Sequence, residues 1–272
     1  MADTITSVHN PRVKDASRLR SGRGRTRQGR ILIDGLREVQ RALQAGVRLH
    51  EVFACAAPND EPTRRELAVW ERAGVPVFHV SPSVFSRLAY GDREQGVVAV
   101  AQAPERSLEE LSVPADALVV VLEGVEKPGN VGAVVRTADA VGASAVLVAD
   151  GATDLYNPNA IRASLGTVFT VPVCAADSLE TLAWLRQHRL QIVATRVDGA
   201  APYTQVSYRA PTAIVLGSEA SGLSDVWRGP DVRAVALPMK GRADSLNVAT
   251  TAAVVLYEAL RQRQAAGGES GA

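Results

Sequence analysis

The feature that most constrains the fold is a series of short, mostly apolar runs in the second half of the chain. Residues 117–122 read ALVVVL, and similar runs occupy 145–149, 191–195 and 213–216, with helical spacing between them. A strand that is apolar at successive positions is typical of a parallel sheet, because helices cover both of its faces. We therefore predict an α/β fold with a mostly parallel sheet and helices on both faces.

A smaller α/β unit precedes this sheet. Its predicted strands alternate with helical segments and are Ile31–Ile33, Leu49–Ala54, Val75–Val80 and Val97–Gln102. Residues 104–116 contain two prolines and several acids, which is typical of a linker. The predicted organisation is an N-terminal domain over residues 1–103, a linker over 104–116 and a C-terminal domain over 117–272.

Positive charge is concentrated at the N-terminus. Residues 1–50 hold eleven Lys or Arg against four Asp or Glu, although the whole chain has a net charge of only +1. We interpret residues 1–30 as a mobile basic arm that binds a nucleic-acid phosphate backbone, with a solvated tail as the alternative. The basic side chains predicted to bind RNA are Arg12, Lys14, Arg18, Arg20, Arg23, Arg25, Arg27 and Arg30.

Composition argues against a metal site and a membrane span. The two cysteines lie far apart in sequence and the four histidines are scattered, so neither a zinc site nor a disulfide framework is expected. The N-terminus lacks the apolar core of a signal peptide, and no run approaches the length of a transmembrane helix. We predict a cytoplasmic protein with no metal and no membrane partner.

A strand, a polar loop and a long helix follow one another near the C-terminus. The strand is predicted over Ala234–Met239, and Asp244 or Ser245 is placed to cap the helix. The helix is apolar over most of its circumference, so we expect it to be buried rather than merely docked. A strand end beside a helix N-terminus offers backbone groups to a nucleotide-like ligand.

The βαβ unit after residues 117–122 carries a turn of unusual composition. It reads EGVEKPGN and lacks the GxGxxG fingerprint, which disfavours a nicotinamide or flavin oxidoreductase. Asn130 is placed either to cap the helix over residues 131–141 or to serve a site, and the residues alone do not decide between them. Arg136 falls among apolar neighbours on that helix, so we expect it to face a charged cleft with a partner.

Three stretches, in this order, resemble the motifs of the SpoU/TrmH family of RNA 2′-O-methyltransferases, part of the wider SPOUT group. They are PGNVGAVVRTA from Pro128, GSEASGL from Gly217, and PM from Pro238 followed by SLN from Ser245. Ala220 replaces a glycine that is usual in the second motif. The resemblance implies a deep trefoil knot in the C-terminal domain, a homodimer, and an N-terminal RNA-binding domain resembling a ribosomal protein.

The resemblance also implies a cofactor and a reaction. S-adenosylmethionine would be held by Gly217, Leu237 and Leu246, with Met239 and Thr195 as neighbours. Its methyl group would pass to a ribose 2′-hydroxyl that Arg136 contacts. The residues that would hold Arg136 and the ribose are Asn130, Glu219, Ser245 and Asn247.

The two-domain arrangement favours ribosomal RNA, of the large subunit, as the substrate. Transfer RNA is the alternative within the same reaction class. Two further alternatives are a ribosomal-RNA methyltransferase that confers antibiotic resistance and an RNA-binding assembly factor that has lost catalysis. Intact motif residues argue against the assembly factor.

Overall fold

The chain forms two compact units, each with its own sheet. The structure, a computed structural model, describes residues 4–55, 61–90, 96–151, 153–198 and 201–268. The first unit comprises Met1–Glu105 together with Tyr156–Thr170, and the second comprises Arg106–Leu155 together with Val171–Ala272.

The sheet of the first unit has four strands in the order β1-β4-β2-β3. β4 is antiparallel to both β1 and β2, and β3 runs parallel to β2. All four strands were expected from the sequence. Their bounds are β1 (Arg30–Asp34), β2 (Leu49–Cys55), β3 (Val77–Val80) and β4 (Val97–Gln102).

The helices of the first unit begin near the N-terminus of the chain and pack around this sheet. They are α1 (Pro11–Arg18), α2 (Gly22–Gln28), α3 (Leu36–Gln44), α4 (Glu61–Arg72) and α5 (Pro82–Leu88). The prediction of a mobile arm over residues 1–30 is wrong, because α1 and α2 occupy half of that segment. Val13, Ala16 and Leu19 recur every third position and are buried in the core of the first unit. Because arginines surround these three residues, a count of charges does not reveal the apolar stripe.

The sheet of the second unit has seven strands in the order β7-β6-β5-β10-β8-β11-β9. Every registered pair in it is parallel, which confirms the predicted α/β class and parallel sheet. The strands are β5 (Leu118–Glu123), β6 (Ala145–Ala149), β7 (Val173–Ala176), β8 (Gln191–Thr195), β9 (Ala201–Pro202), β10 (Thr212–Leu216) and β11 (Val232–Ala236). All residues of β5, β6 and β10 are buried, as continuous apolar runs require.

Helix α6 (Pro128–Ala140) follows β5 and begins three residues earlier than expected. Proline at the first helical position has the φ angle that a helix needs and lacks only an N–H that would be unpaired there. The N-cap position is therefore Lys127, and Asn130 lies within the first turn. The interpretation of Asn130 as a cap is wrong, and its side chain is available for other contacts.

Residues 156–170 return to the first unit between β6 and β7. They carry α7 (Pro158–Ala163) and α8 (Thr167–Thr170). The Arg41 guanidinium donates to the Leu165 carbonyl oxygen at 2.7 Å, and the Asn159 amide donates to the Tyr90 hydroxyl at 2.9 Å. These contacts fasten the segment to the first unit.

The last two helices are α9 (Ser178–Gln187) and α10 (Val248–Gly268). α10 starts later than predicted, so neither Asp244 nor Ser245 caps it. Instead the Asn247 side-chain oxygen accepts from the Ala249 backbone N–H at 2.9 Å. The expectation that this helix is buried rather than docked is also wrong, because α10 buries one face while Tyr257 is 52% exposed. The buried face consists of Val248, Ala252, Val255, Leu256 and Ala259.

Candidate active site

A cavity of about 500 Å³ lies in the second unit at the ends of three adjacent strands. β8 pairs with both β10 and β11 in parallel, so the carboxyl ends of all three meet at one edge of the sheet. Ligands of open parallel sheets bind at such edges. All five residues expected to bind the cofactor line this cavity, namely Thr195, Gly217, Leu237, Met239 and Leu246.

Gly217 is required by the backbone of the cavity wall. A Cβ at this position would lie 2.3 Å from the Gly222 carbonyl carbon and 2.6 Å from the Leu223 nitrogen. The loop folds back on itself there, since the Gly222 N–H donates to the Ser218 carbonyl oxygen at 3.0 Å. Ala220, where relatives usually have glycine, is exposed and does not adopt a positive φ, so the loop accommodates its methyl group.

Three predicted site residues form one hydrogen-bonded group beside the cavity. The Asn130 amide donates a short hydrogen bond to Glu219 Oε1, and the Asn247 amide donates to the same oxygen at 3.3 Å. Asn247 also lies 3.4 Å from Asn130 Oδ1. The other Glu219 oxygen has no hydrogen-bond partner among the described residues, so it can accept a proton donor from a ligand.

The other two predicted catalytic residues are placed differently. Ser245 lines the cavity together with Glu219. Arg136 does not line it, and its side chain is exposed on α6. The expectation of a partner within a charged cleft is wrong for the described residues, none of which bonds or pairs with Arg136. Val134 and Val135 take the buried face of α6, which leaves Arg136 facing outward.

Glu123 supports the loop of the site and is a residue that sequence reasoning missed. Its carboxylate is 5% exposed and accepts four hydrogen bonds, each 2.7 Å long, from the Ser178 hydroxyl, the Ser224 N–H and hydroxyl, and the Trp227 indole N–H. Ser224 ends the loop that begins at Gly217, so Glu123 anchors that loop. The sequence signal that could have revealed it is an acidic residue directly after the apolar run of residues 117–122, because a buried carboxylate needs hydrogen-bond donors.

A charged cluster, also missed, occupies another part of the cavity wall. The Arg196 guanidinium donates to both Asp198 oxygens, at 2.9 and 2.6 Å, and Arg228 donates to Asp198 at 3.1 Å. All three residues line the cavity. The hydrogen bonds from Arg196 hold the pKa of the Asp198 carboxyl well below its usual value, so the cluster stays paired at neutral pH.

Two further properties concern the described part of the chain. It contains no group of three or more His, Cys, Asp or Glu side chains placed to hold a metal ion. Across the same residues, none of the helices combines the length and the apolar character needed to cross a membrane.

Comparison with known sequences assigns both halves of the chain. Residues 117–257 match the SpoU rRNA Methylase family, and residues 10–99 match the MRM3-like substrate binding domain. A 23S rRNA (uridine(2479)-2′-O)-methyltransferase of Streptomyces viridochromogenes is 32% identical over 253 residues, covering 88% of this chain and 85% of that protein.

Solved structures resemble the whole chain. A crystal structure described as an RNA 2′-O ribose methyltransferase is 44% identical with a TM-score of 0.86, and the match covers 96% of this chain and 100% of that one. An rRNA methyltransferase of Sinorhizobium meliloti, crystallised with S-adenosylmethionine, is 30% identical with a TM-score of 0.86. That match covers 96% of this chain and 98% of its relative.

Proposed function

Because the chain belongs to the SpoU rRNA Methylase family, we propose that it transfers a methyl group from S-adenosylmethionine to a ribose 2′-hydroxyl of ribosomal RNA. The similar Streptomyces viridochromogenes protein is named for this reaction on 23S rRNA, which supports the large subunit as the substrate. The observation that carries the proposal is the Asn130–Glu219–Asn247 group at the edge of a cavity of about 500 Å³.

The cavity suits the chemistry of S-adenosylmethionine. Apolar side chains at Leu237, Met239 and Leu246 can pack against an adenine ring, and backbone groups around Gly217 can bond its polar edge. The charged side chains Arg196, Asp198 and Arg228 already pair with one another, which suits a ligand with little net charge. When bound, the cofactor supplies a sulfonium-activated methyl group.

The chain's own residues position the RNA sugar. Asn130 and Asn247 hold the Glu219 carboxylate in one orientation, so its second oxygen can accept a hydrogen bond from the ribose or from Arg136. Arg136 is assigned to the 2′-hydroxyl. The planar guanidinium presents several N–H donors, so its proposed role is to orient the hydroxyl and clamp a neighbouring phosphate. A 2′-hydroxyl is also what distinguishes RNA from DNA at such a site.

The organisation of the molecule forms part of the same proposal. Residues 1–103 bind the RNA and residues 117–272 carry out methyl transfer, with the C-terminal segment threaded into a deep trefoil knot. The strand order, in which β8 lies between β10 and β11, supports this threading. A crystal structure in which the C-terminal segment passes through no loop would contradict it.

A homodimer and a cytoplasmic location are also proposed. The exposed Tyr257, one helical turn from the half-buried Ala253 and Val254, leaves apolar surface on α10 that a second copy would cover. Sedimentation at micromolar concentration is expected to give twice the chain mass, and a single-chain mass would contradict the dimer.

The direct test is methyl transfer with a labelled donor. The purified protein is incubated with methyl-labelled S-adenosylmethionine and either deproteinised 23S rRNA or total tRNA, and labelled nucleotides are mapped. We expect one ribose-methylated position in 23S rRNA. Label in tRNA alone would favour the alternative substrate, and label in neither would contradict the proposed activity.

A further inference from the structure

The first unit contains a second cavity, of about 520 Å³, formed by α1, α2 and the start of β1. Its wall carries four arginines, Arg18, Arg23, Arg27 and Arg30, and a single acid, Asp15. We call these five residues the arginine cradle. All four arginine side chains are exposed, so they point to solvent rather than into the core.

The backbone of the arginine cradle is held in place by close packing of α2 on the end of α1. A Cβ on Gly24 would lie 1.9 Å from the Arg18 carbonyl oxygen, so only glycine fits at this crossing. Ser21 ties the two helices together, accepting from the Gly24 N–H at 3.2 Å and donating to the Arg18 carbonyl oxygen at 2.9 Å. Gln28 adds a bond from its amide to the Asp15 carbonyl oxygen at 3.2 Å.

The charges of the arginine cradle are mostly unpaired. Arg18 has an acidic partner, Asp15, at 2.5 Å. The guanidinium groups of Arg23, Arg27 and Arg30 form no hydrogen bond or ion pair with any residue that the structure describes. Arg23 and Arg27 lie four positions apart on α2, and like charges at that spacing repel each other. The arrangement therefore lacks anionic partners that a ligand could supply.

Neighbouring arginines of the same segment have structural partners instead. Arg12 pairs with Glu51 at 3.1 Å and lies over the Phe78 ring, 4.6 Å from its centroid. Arg20 donates to the Arg87 carbonyl oxygen at 3.0 Å.

Arg25 is the clearest example of an arginine that supports the fold. It is 4% exposed and donates to the Leu19 carbonyl oxygen at 2.7 Å, so the prediction that it contacts RNA is wrong. The segment thus divides its arginines between support of the fold and the arginine cradle.

We propose that the arginine cradle binds consecutive backbone phosphates of the RNA substrate. This inference rests on the proposed function and narrows its RNA-binding surface to one site. Guanidinium groups bind phosphate oxygens in pairs of parallel hydrogen bonds. The cavity is several times larger than one phosphate group, and its arginines come from three successive elements, which matches a strand of linked phosphates better than a single free ion.

Point substitutions test this site, because deleting residues 1–30 would remove Val13, Ala16 and Leu19 from the core. The test variant carries Arg23→Gln and Arg27→Gln, which remove two charges and keep polar, exposed side chains. The matched control carries Arg64→Gln and Arg65→Gln on α4, which remove the same charge from exposed positions paired with Glu61. Thermal unfolding verifies that both variants fold.

The measurement is the affinity for deproteinised 23S rRNA across a series of salt concentrations. The test variant should bind roughly tenfold more weakly near 0.1 M salt, and its slope of log affinity against log salt should be shallower by about 1.5. The control should stay within about twofold of wild type. Equal effects in the two variants would mean general electrostatic attraction only and would overturn the site.

Two further readouts separate this inference from the proposed function. Affinity for S-adenosylmethionine should be unchanged, and methyl transfer at saturating RNA should recover, so the effect falls on KM rather than kcat. RNA binding is measured without methyl transfer, so an inactive protein would leave this test standing. Inorganic phosphate should compete only at high concentration. If it displaced RNA at micromolar concentration, a free-phosphate site would replace the RNA assignment.

Discussion

The two cavities described above have almost the same volume, about 500 and 520 Å³, but opposite electrostatic character. In the cavity of the second unit, Asp198 pairs with Arg196 and Arg228, and Glu219 accepts from Asn130 and Asn247. In the arginine cradle, three of the four guanidiniums lack a described partner. Volume therefore does not indicate the ligand, whereas the state of charge pairing does.

This difference has a physical consequence for binding. A site with internally paired charges recognises its ligand by shape, apolar contact and backbone hydrogen bonds, which depend little on salt. A site with unpaired cations binds a polyanion and releases counterions, so its affinity falls steeply with salt. Arg136 differs from these paired side chains, because it is an exposed arginine without a described partner on the helix that carries Asn130.

The largest expected effect concerns Arg136. Arg136→Ala should lower kcat roughly a thousandfold, about 4 kcal/mol in the barrier, because it removes the group that orients the reacting hydroxyl. Affinity for S-adenosylmethionine and thermal stability should match wild type, since the side chain is exposed and outside the cavity wall. Arg209→Ala, at another exposed arginine of the second unit, is the control and should be fully active. Near-normal turnover of Arg136→Ala would remove Arg136 from the reaction.

The next effect tests whether backbone geometry builds the cofactor cavity. Gly217→Ala places a methyl group within 2.4 Å of the Gly222 carbonyl oxygen, so the loop must shift. We expect S-adenosylmethionine to bind at least roughly tenfold more weakly and the free energy of unfolding to fall by about 1–3 kcal/mol. Calorimetric titration and thermal unfolding measure the two quantities.

A nearby glycine provides the control for Gly217. A Cβ on Gly241 would meet no atom within 4 Å, so Gly241→Ala should behave as wild type. Undisturbed cofactor binding by Gly217→Ala would show that the loop gives way at no cost, and that the close approach is not what shapes the cavity.

The smallest effect concerns the buried anchor of the same loop. Glu123→Gln replaces one carboxylate oxygen by an amide N–H₂ group, which must then face either the Ser224 N–H or the Trp227 indole N–H, neither of which can accept. We expect the free energy of unfolding to fall by about 2 kcal/mol and S-adenosylmethionine affinity to fall a few-fold. Denaturant titration of this variant is compared with Glu126→Gln, an exposed acid three residues along. Equal stability of the two variants would contradict the anchoring role.

The sequence alone determined the features that depend on near neighbours along the chain. Apolar runs predict buried strands because burial on both faces excludes polar side chains locally. All the predicted strands described above are present, although the last one, β11, runs over Val232–Ala236 and not Ala234–Met239. The family resemblance carried by the three motifs selected residues that line the cavity, such as Gly217, Leu237 and Leu246, but not the charged side chains of its wall.

Only the tertiary structure decided which side chains are paired. The four donors to Glu123 come from residues 55 to 104 positions away, and Asn130 reaches Glu219 across 89 positions. Similarly, Val13, Ala16 and Leu19 are identified as a buried stripe only because the core of the first unit packs against them. Pairing distant groups requires the folded backbone to bring them together, so no local pattern reveals which charges remain open to a ligand.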